Sequence, residues 1–219
     1  MRPFIEEFYE RRRDVRRYLA VLVRAEQIMD GETLRKHDRE LRMMRAGGIL
    51  VLYNAIEASA RSGIQAIYDE VEQTKTPFDS LRASFRKRVL KDFKKNFGIE
   101  RHEEIKVIAA NIVSASFDPR KIFSGNVDAR LMRDHSLVFG FSCATTPSKT
   151  KGGIDLLTIK NKRNDLAHGD ASFAEVGRSY TANDIKKIGL YSLNYMGEVL
   201  VKIDDYLDAG DYKTPPPED

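Results

Sequence analysis

The sequence predicts an all-α fold, on three observations. Apolar residues recur at helical spacing through most of the chain, and no stretch alternates strongly enough to propose a sheet. The composition is that of an ordinary globular protein: of 219 residues, 42% are hydrophobic and 32% charged. Several amphipathic helices of this length together bury a real core.

Taken in order, Phe4, Phe8, Val15, Tyr18, Leu19, Leu22 and Ile28 mark a long first helix, entered at Pro3 and closed near Gly31. A second helical region spans about Thr33 to Glu72 and ends at Thr76-Pro77. Its stretch from Ile49 to Ile67 is apolar enough to be the central core helix. Gly47-Gly48 either splits this region or lets a neighbour pack closely. Residues 79–97 form the next helix, with Leu81, Phe85, Val89 and Phe93 as its apolar stripe and Gly98 as the stop. Residues 101–115 are a further candidate. An irregular loop then leads into a short helix over about 126–138, and CATTPSKTKGG is read as a loop. A helix over 154–168 stops before Gly169. Thr181 caps the last helix, which reaches Tyr206 or Leu207, with Asp184 as an imperfect capping-box partner. Residues 1–207 are thus read as one helical domain, within which 74–125 is either integral or a helical insertion. Residues 208–219 are read as a polar tail.

Composition also narrows function. The net charge of +4 permits an acidic partner without identifying nucleic acid. A single cysteine, Cys143, rules out an internal disulfide scaffold, and it reads as a packing or loop residue rather than a nucleophile. No apolar stretch approaches the ~20 residues a bilayer requires, and the N-terminus lacks a signal-peptide core. A cytoplasmic protein without a membrane contact is expected. His37, His102, His135 and His168 are scattered, so no metal site is expected, and no phosphate loop or dinucleotide fingerprint implies a cofactor. The first three histidines read as surface or packing residues.

Two stretches carry charge that bears on function. RASFRKRVLKDFKK, from Arg82 to Lys95, sets Arg86, Lys87, Lys91 and Lys94 opposite the apolar stripe. That face either neutralises phosphates or is simply solvated. ERRRDVRR is interrupted by acids and reads as a solvated face. The second stretch is IKNKRNDLAHG, where Lys160, Lys162 and Arg163 precede Asn164 and His168. Asn164 and His168 are four apart and share a helical face, with Arg163 next to it. Arginine offers a donor fork matched to phosphate, and histidine moves protons near neutral pH. Together they suit RNA cleavage at its own 2′-hydroxyl, where the base takes the 2′-OH proton and arginine stabilises phosphoryl charge. A solvated helix end near the dipole is the other reading.

The stretch KNKRNDLAHG resembles the R-x4-6-H signature of the HEPN superfamily, with Arg163 and His168 at its ends. GGILVLYNAIEASARSGIQAIYDEV, IFSGNVDARLMRDHSLVFGF and RNDLAHGDASFAEVGRSYT extend the likeness to the MAE_28990/MAE_18760-like HEPN family across roughly residues 47–181. The resemblance implies a HEPN-type helical bundle with additional helices. It also implies a metal-independent endoribonuclease leaving 2′,3′-cyclic phosphate ends, and a homodimer with a composite active site. It further implies a role as toxin or effector in antiphage defence or a toxin–antitoxin system, blocked or served by a partner protein. It carries over Arg163, Asn164 and His168 as active-site residues, and Glu57 as the acidic residue of the preceding core helix. Lys160, Lys162, Arg86, Lys87, Lys91 and Lys94 are the expected RNA contacts. Where some nucleotidyltransferase-paired relatives carry a modifiable tyrosine two residues after the histidine, this chain has Asp170, which puts that control in doubt. The alternative is a noncatalytic RNA-binding or regulatory HEPN module.

Overall fold

The computed structural model describes residues 1–29, 31–97, 112–123 and 125–214. Among them every regular element is helical, and the only β-type pairing is an isolated bridge between Leu81 and Lys213. In chain order the helices are α1 (Pro3–Ile28), α2 (Gly31–Lys36), α3 (Asp38–Gln73), α4 (Ala83–Phe97), α5 (Ile112–Ser116), α6 (Pro119–Ile122), α7 (Ala129–Phe139), α8 (Pro147–Thr150), α9 (Ile154–His168), α10 (Phe173–Arg178) and α11 (Ala182–Ala209).

Three long helices, α1, α3 and α11, pack on one another and form the centre. Phe8, Leu19 and Leu22 of α1, Leu52, Ile56, Ile64 and Ile67 of α3, and Ile185, Met196, Val199 and Ile203 of α11 are nearly or fully excluded from solvent. Burying such side chains contributes about 1.5–3 kcal/mol each before the entropic cost of ordering the chain. The Gly47-Gly48 pair does not split α3. A Cβ on Gly48 would lie 3.3 Å from the Tyr18 ring, so the pair serves close packing, with Tyr18 donating to the Met44 carbonyl at 2.7 Å. Of the second helical region expected near Thr33, the first turns form the separate short helix α2.

The apolar stripe of α4 is buried as expected, and this helix packs on α5 and α7. Its start is later than the sequence pattern implied, because Phe78–Ser80 form a 3-10 turn before Ala83. The stop at Gly98 and most of the helix expected over 101–115 lie outside the described residues. The expected loop CATTPSKTKGG contains the short helix α8, and α10 fills part of the connection between α9 and α11. Ser172 caps α10 in a reciprocal capping box with Glu175, and Thr181 does the same for α11 with Asp184.

Residues 208–214 depart from the expected tail. α11 continues to Ala209 and stops at Gly210 in a left-handed conformation. Tyr212 then turns back and is 2% exposed beside Tyr206. The Arg82 N–H donates to its carbonyl at 3.1 Å and the Thr214 N–H to that of Ser80 at 2.7 Å. A single aromatic among polar residues was enough to anchor the segment. Periodicity is blind to such an anchor. Residues 215–219 lie outside the described set.

Candidate active site

The signature helix α9 begins at Ile154, after a left-handed Gly153, and ends at His168, after which Gly169 takes φ +77°. A left-handed residue past the last turn is a common helix stop, and it suits glycine because no Cβ clashes there. The chain then folds back, with the Ala171 N–H donating to the Asp165 carbonyl at 3.2 Å.

Along α9, each residue advances by about 100° around the axis. Leu156, Ile159 and Arg163 therefore share the side that faces the core, and the first two are buried. Ile154, Leu157, Asn161, Asn164, Asp165 and His168 fall within one outward arc. Ile154 is 63% and Leu157 44% exposed, and His168 is exposed as well. The spacing of arginine and histidine thus sends one inward and the other outward. Asn164 lies between them on the helix surface.

Arg163 is half-buried and held on several sides. Its Cζ stands 4.8 Å from the centroid of the Tyr53 ring on α3, a cation–π contact. Its Nη1 donates to the Asn164 Oδ1 at 3.0 Å and to the Gly125 carbonyl at 3.4 Å. No carboxylate pairs with it among the described residues. Gly125 is buried with φ +76°, and a Cβ there would lie 2.8 Å from Nη1. Only glycine lets this backbone approach the guanidinium.

The four consecutive residues Gly125–Asp128 all serve the signature helix or its support. Gly125 takes the Arg163 bond, and Asn126 Oδ1 accepts from Asn164 Nδ2 at 3.0 Å. The Val127 N–H donates to the Tyr53 hydroxyl at 3.2 Å. Asp128 accepts from the Leu131 N–H at 2.9 Å, capping α7, and pairs through its other oxygen with Lys160. Burial works against the Asp128 carboxylate, yet the Lys160 and Leu131 bonds hold it below its ordinary value. The segment latches α9 to α7 and α3.

Glu57 lies one turn beyond Tyr53 on α3. Its Oε1 accepts from Arg61 Nη2 at 2.6 Å, and its carboxylate also reaches the Tyr53 hydroxyl. Burial first, with Glu57 adding to it, pushes the Tyr53 phenol up to about 12, so the ring stays neutral at physiological pH. Glu57 thus meets Arg163 through Tyr53, not through a bond of its own.

The basic residues separate into distinct groups. Lys160 is committed to Asp128, and Lys162 to Asp165 at 2.8 Å. Arg86 donates to the Asp79 carbonyl at 2.7 Å, whereas Lys87, Lys91 and Lys94 extend into solvent from α4. Cys143 is half-buried, and burial pushes its thiol up, which suits a packing residue. His135 is a core residue between Phe123 and Phe139. His37 is half-buried where α2 meets α3, and His102 lies outside the described residues. Among the described residues no group of three or more His, Cys, Asp or Glu is placed to hold a metal ion. No helix among them is long and apolar enough to cross a membrane.

Tyr53, Gly125, Asn126 and Asp128 escaped the sequence reading as site residues. The one available signal for Tyr53 was its place one turn before Glu57, on the same face of α3.

The sequence matches the family described as HEPN_MAE_28990/-like HEPN over residues 3–212, nearly the whole chain. No curated protein and no solved structure matches it.

Proposed function

The chain belongs to this HEPN family, and from that premise we propose that it is a cytoplasmic, metal-independent endoribonuclease acting as a homodimer. One observation carries the reading: Arg163 is a half-buried guanidinium fixed by an aromatic ring and two amide oxygens, with no carboxylate partner among the described residues. A cation held so and left uncompensated is matched to an anion with paired acceptor oxygens, as a phosphodiester has.

In the proposed reaction His168 takes the proton of the 2′-hydroxyl, and O2′ attacks the adjacent phosphorus. The bond from phosphorus to the 5′-oxygen breaks, and that oxygen leaves with a proton from the second copy's histidine. The products are a 2′,3′-cyclic phosphate and a 5′-hydroxyl. Arg163 stabilises the negative charge that grows on the non-bridging oxygens. Asn164 positions Arg163, and Glu57 acts through Tyr53. Arg163 and His168 leave the helix on either side of Asn164, and a second copy seated along that edge of α9 supplies the second histidine. The outward arc of Ile154, Leu157 and His168 is the surface we assign to that contact. DNA, lacking the 2′-hydroxyl, is not cut. A role as toxin or effector in antiphage defence or a toxin–antitoxin system follows from the family resemblance.

Purified protein incubated with mixed RNAs in EDTA tests this. Cleavage with 2′,3′-cyclic ends, lost in both Arg163→Ala and His168→Ala, is the expected result. Equal residual cleavage in the two variants overturns the assignment. A second reading, RNA binding without cleavage, is favoured by the exposed Lys87, Lys91 and Lys94. It requires salt-sensitive binding that His168→Ala leaves intact and charge reversal at Lys91 and Lys94 weakens.

A further inference from the structure

Between α1 and α11 runs a trough of about 530 Å³, lined by none of the residues that hold Arg163 or His168. Its floor is aliphatic: Leu19, Ala20 and Val23 from α1 face Leu190 and Leu193 from α11. Leu19 and Leu193 are buried, Val23 is half-buried, and Leu190 is 47% exposed. The rim carries Arg12, Arg16, Arg24 and Lys186, and among the described residues no carboxylate lines the trough.

The pairing of charges along α1 and the arginine before it separates this rim from an ordinary solvated face. Arg2, Arg11, Arg13 and Arg17 each pair with a carboxylate. None of the four rim cations does so among the described residues. Arg12 donates to the Asn194 Oδ1 at 2.7 Å, while its Nε is buried without a partner among the described residues. Burial, and then the neighbouring Arg16, push its guanidinium below the ordinary arginine value. Positive charge is concentrated here and left uncompensated.

The shape decides among anions. Residues 12 to 27 of α1 run for about 22 Å, the length of roughly four helical turns. The lining extends along about four turns of α1, longer than a compact small molecule spans, and its four rim cations suit several carboxylates in a row. Single-stranded RNA has no stacking partner among the described residues here, because none of those lining the trough is aromatic. An amphipathic helix satisfies both features, with apolar anchors on the floor and acids against the rim.

We propose that this trough is a docking site for an acidic amphipathic helix of a partner protein. Leu190 and Val23 receive its apolar anchors, and Arg16, Arg24 and Lys186 receive its carboxylates. The proposal is independent of ribonuclease activity.

Selection with the full-length protein from a displayed library of 16-residue helices, randomised in charge and anchor positions, tests it. The expected winners carry net negative charge with aliphatic residues at helical spacing. Their synthetic peptides lose at least about 10-fold in affinity for Arg16→Glu/Arg24→Glu and for Leu190→Lys. Both variants change exposed positions and retain the wild-type circular dichroism melt. No enrichment, winners without net negative charge, or winners indifferent to either variant overturns the proposal. So does displacement of the peptides by a 15-nucleotide RNA with no effect from Leu190→Lys, which makes RNA the occupant. Loss of self-association in Arg16→Glu/Arg24→Glu, measured by light scattering, makes a second copy the occupant and also overturns it.

Discussion

The guanidinium of Arg163 lies over the ring of Tyr53, 4.8 Å from its centroid, although the two residues sit on different helices. Gly125 closes the other flank with its backbone. Tyr53→Leu removes the ring and is expected to lower RNA cleavage about 10-fold, the scale of one partly desolvated cation–π contact. Tyr53→Phe keeps the ring and retains most activity, while losing the acceptor for the Val127 N–H and about 1 kcal/mol of stability. Gly125→Ala is expected to be worse than Tyr53→Leu. It strains a left-handed backbone and drives a methyl group into the guanidinium, so cleavage falls on the order of 100-fold. Initial rates on a labelled RNA rank the three. An unaffected Gly125→Ala enzyme would disprove the need for the clamp.

The Asp128–Lys160 pair is expected to act on stability. Side-chain exposures of 12% and 17% place both groups largely out of water. Asp128→Ala removes a helix cap and strands the ammonium, and is expected to cost about 3 kcal/mol in urea unfolding. Lys160→Gln is expected to cost about 2 kcal/mol by stranding the carboxylate. Charge removal at Lys91 or Lys94, both exposed, leaves the unfolding midpoint within about 0.5 kcal/mol of wild type. A Lys160→Gln protein of normal stability that binds RNA poorly would return Lys160 to the RNA-contact set.

How much of this was legible in the sequence depends on how local each feature is. The limits of α9, the unbroken need for packing around Ile49–Ile67, and the buried stripe of α4 follow from periodicity and stop signals, which act over a few residues. The Arg163–His168 spacing is equally local. The support of Arg163 is not, because Tyr53 and Gly125 lie far away in the chain and meet it only once α3, α7 and α9 have packed. The pairing of Lys160 was hidden for the same reason, since its acid, Asp128, caps another helix. The Lys162–Asp165 pair was within reach of a local reading, being one helical turn apart.

Leu157 sits in the outward arc of α9 with Ile154 and His168, 44% exposed and without a core role. If that arc is the surface on which two copies meet, Leu157→Glu places a carboxylate from each copy in the contact and pushes them apart. The expected outcome is a monomer by light scattering, with cleavage reduced at least about 100-fold and a wild-type melting temperature. Mixing wild-type protein with an excess of His168→Ala protein then provides a separate check. The heterodimers hold a single histidine and lack either base or acid, so cleavage falls well below that of the unmixed wild type, unless each copy works alone. A monomeric Leu157→Glu protein that cuts RNA at the wild-type rate would dismiss the composite site.

His135 makes the stability of the fold depend on pH in a window away from the carboxylates. The ring is 4% exposed between Phe123 and Phe139, with a buried Nδ1 that has no partner among the described residues. Burial, and then the nearby Arg88, lower its pKa from 6.5 to about 4. The unfolded ring therefore takes up a proton as pH falls through 6.5, while the folded ring does not until pH 4. Protons then favour the unfolded state, so stability is full above 6.5 and declines between 6.5 and 4. The slope approaches about 1.4 kcal/mol per pH unit. Asp128 and Asp184, held below their ordinary values, lose their contributions only as pH falls below the ordinary carboxylate range. Urea unfolding at pH 7 and pH 5 is expected to differ by about 2 kcal/mol in the wild type. His135→Leu, which keeps the volume apolar and removes the proton site, is expected to flatten that difference. An equal loss in the variant would assign the dependence to other groups.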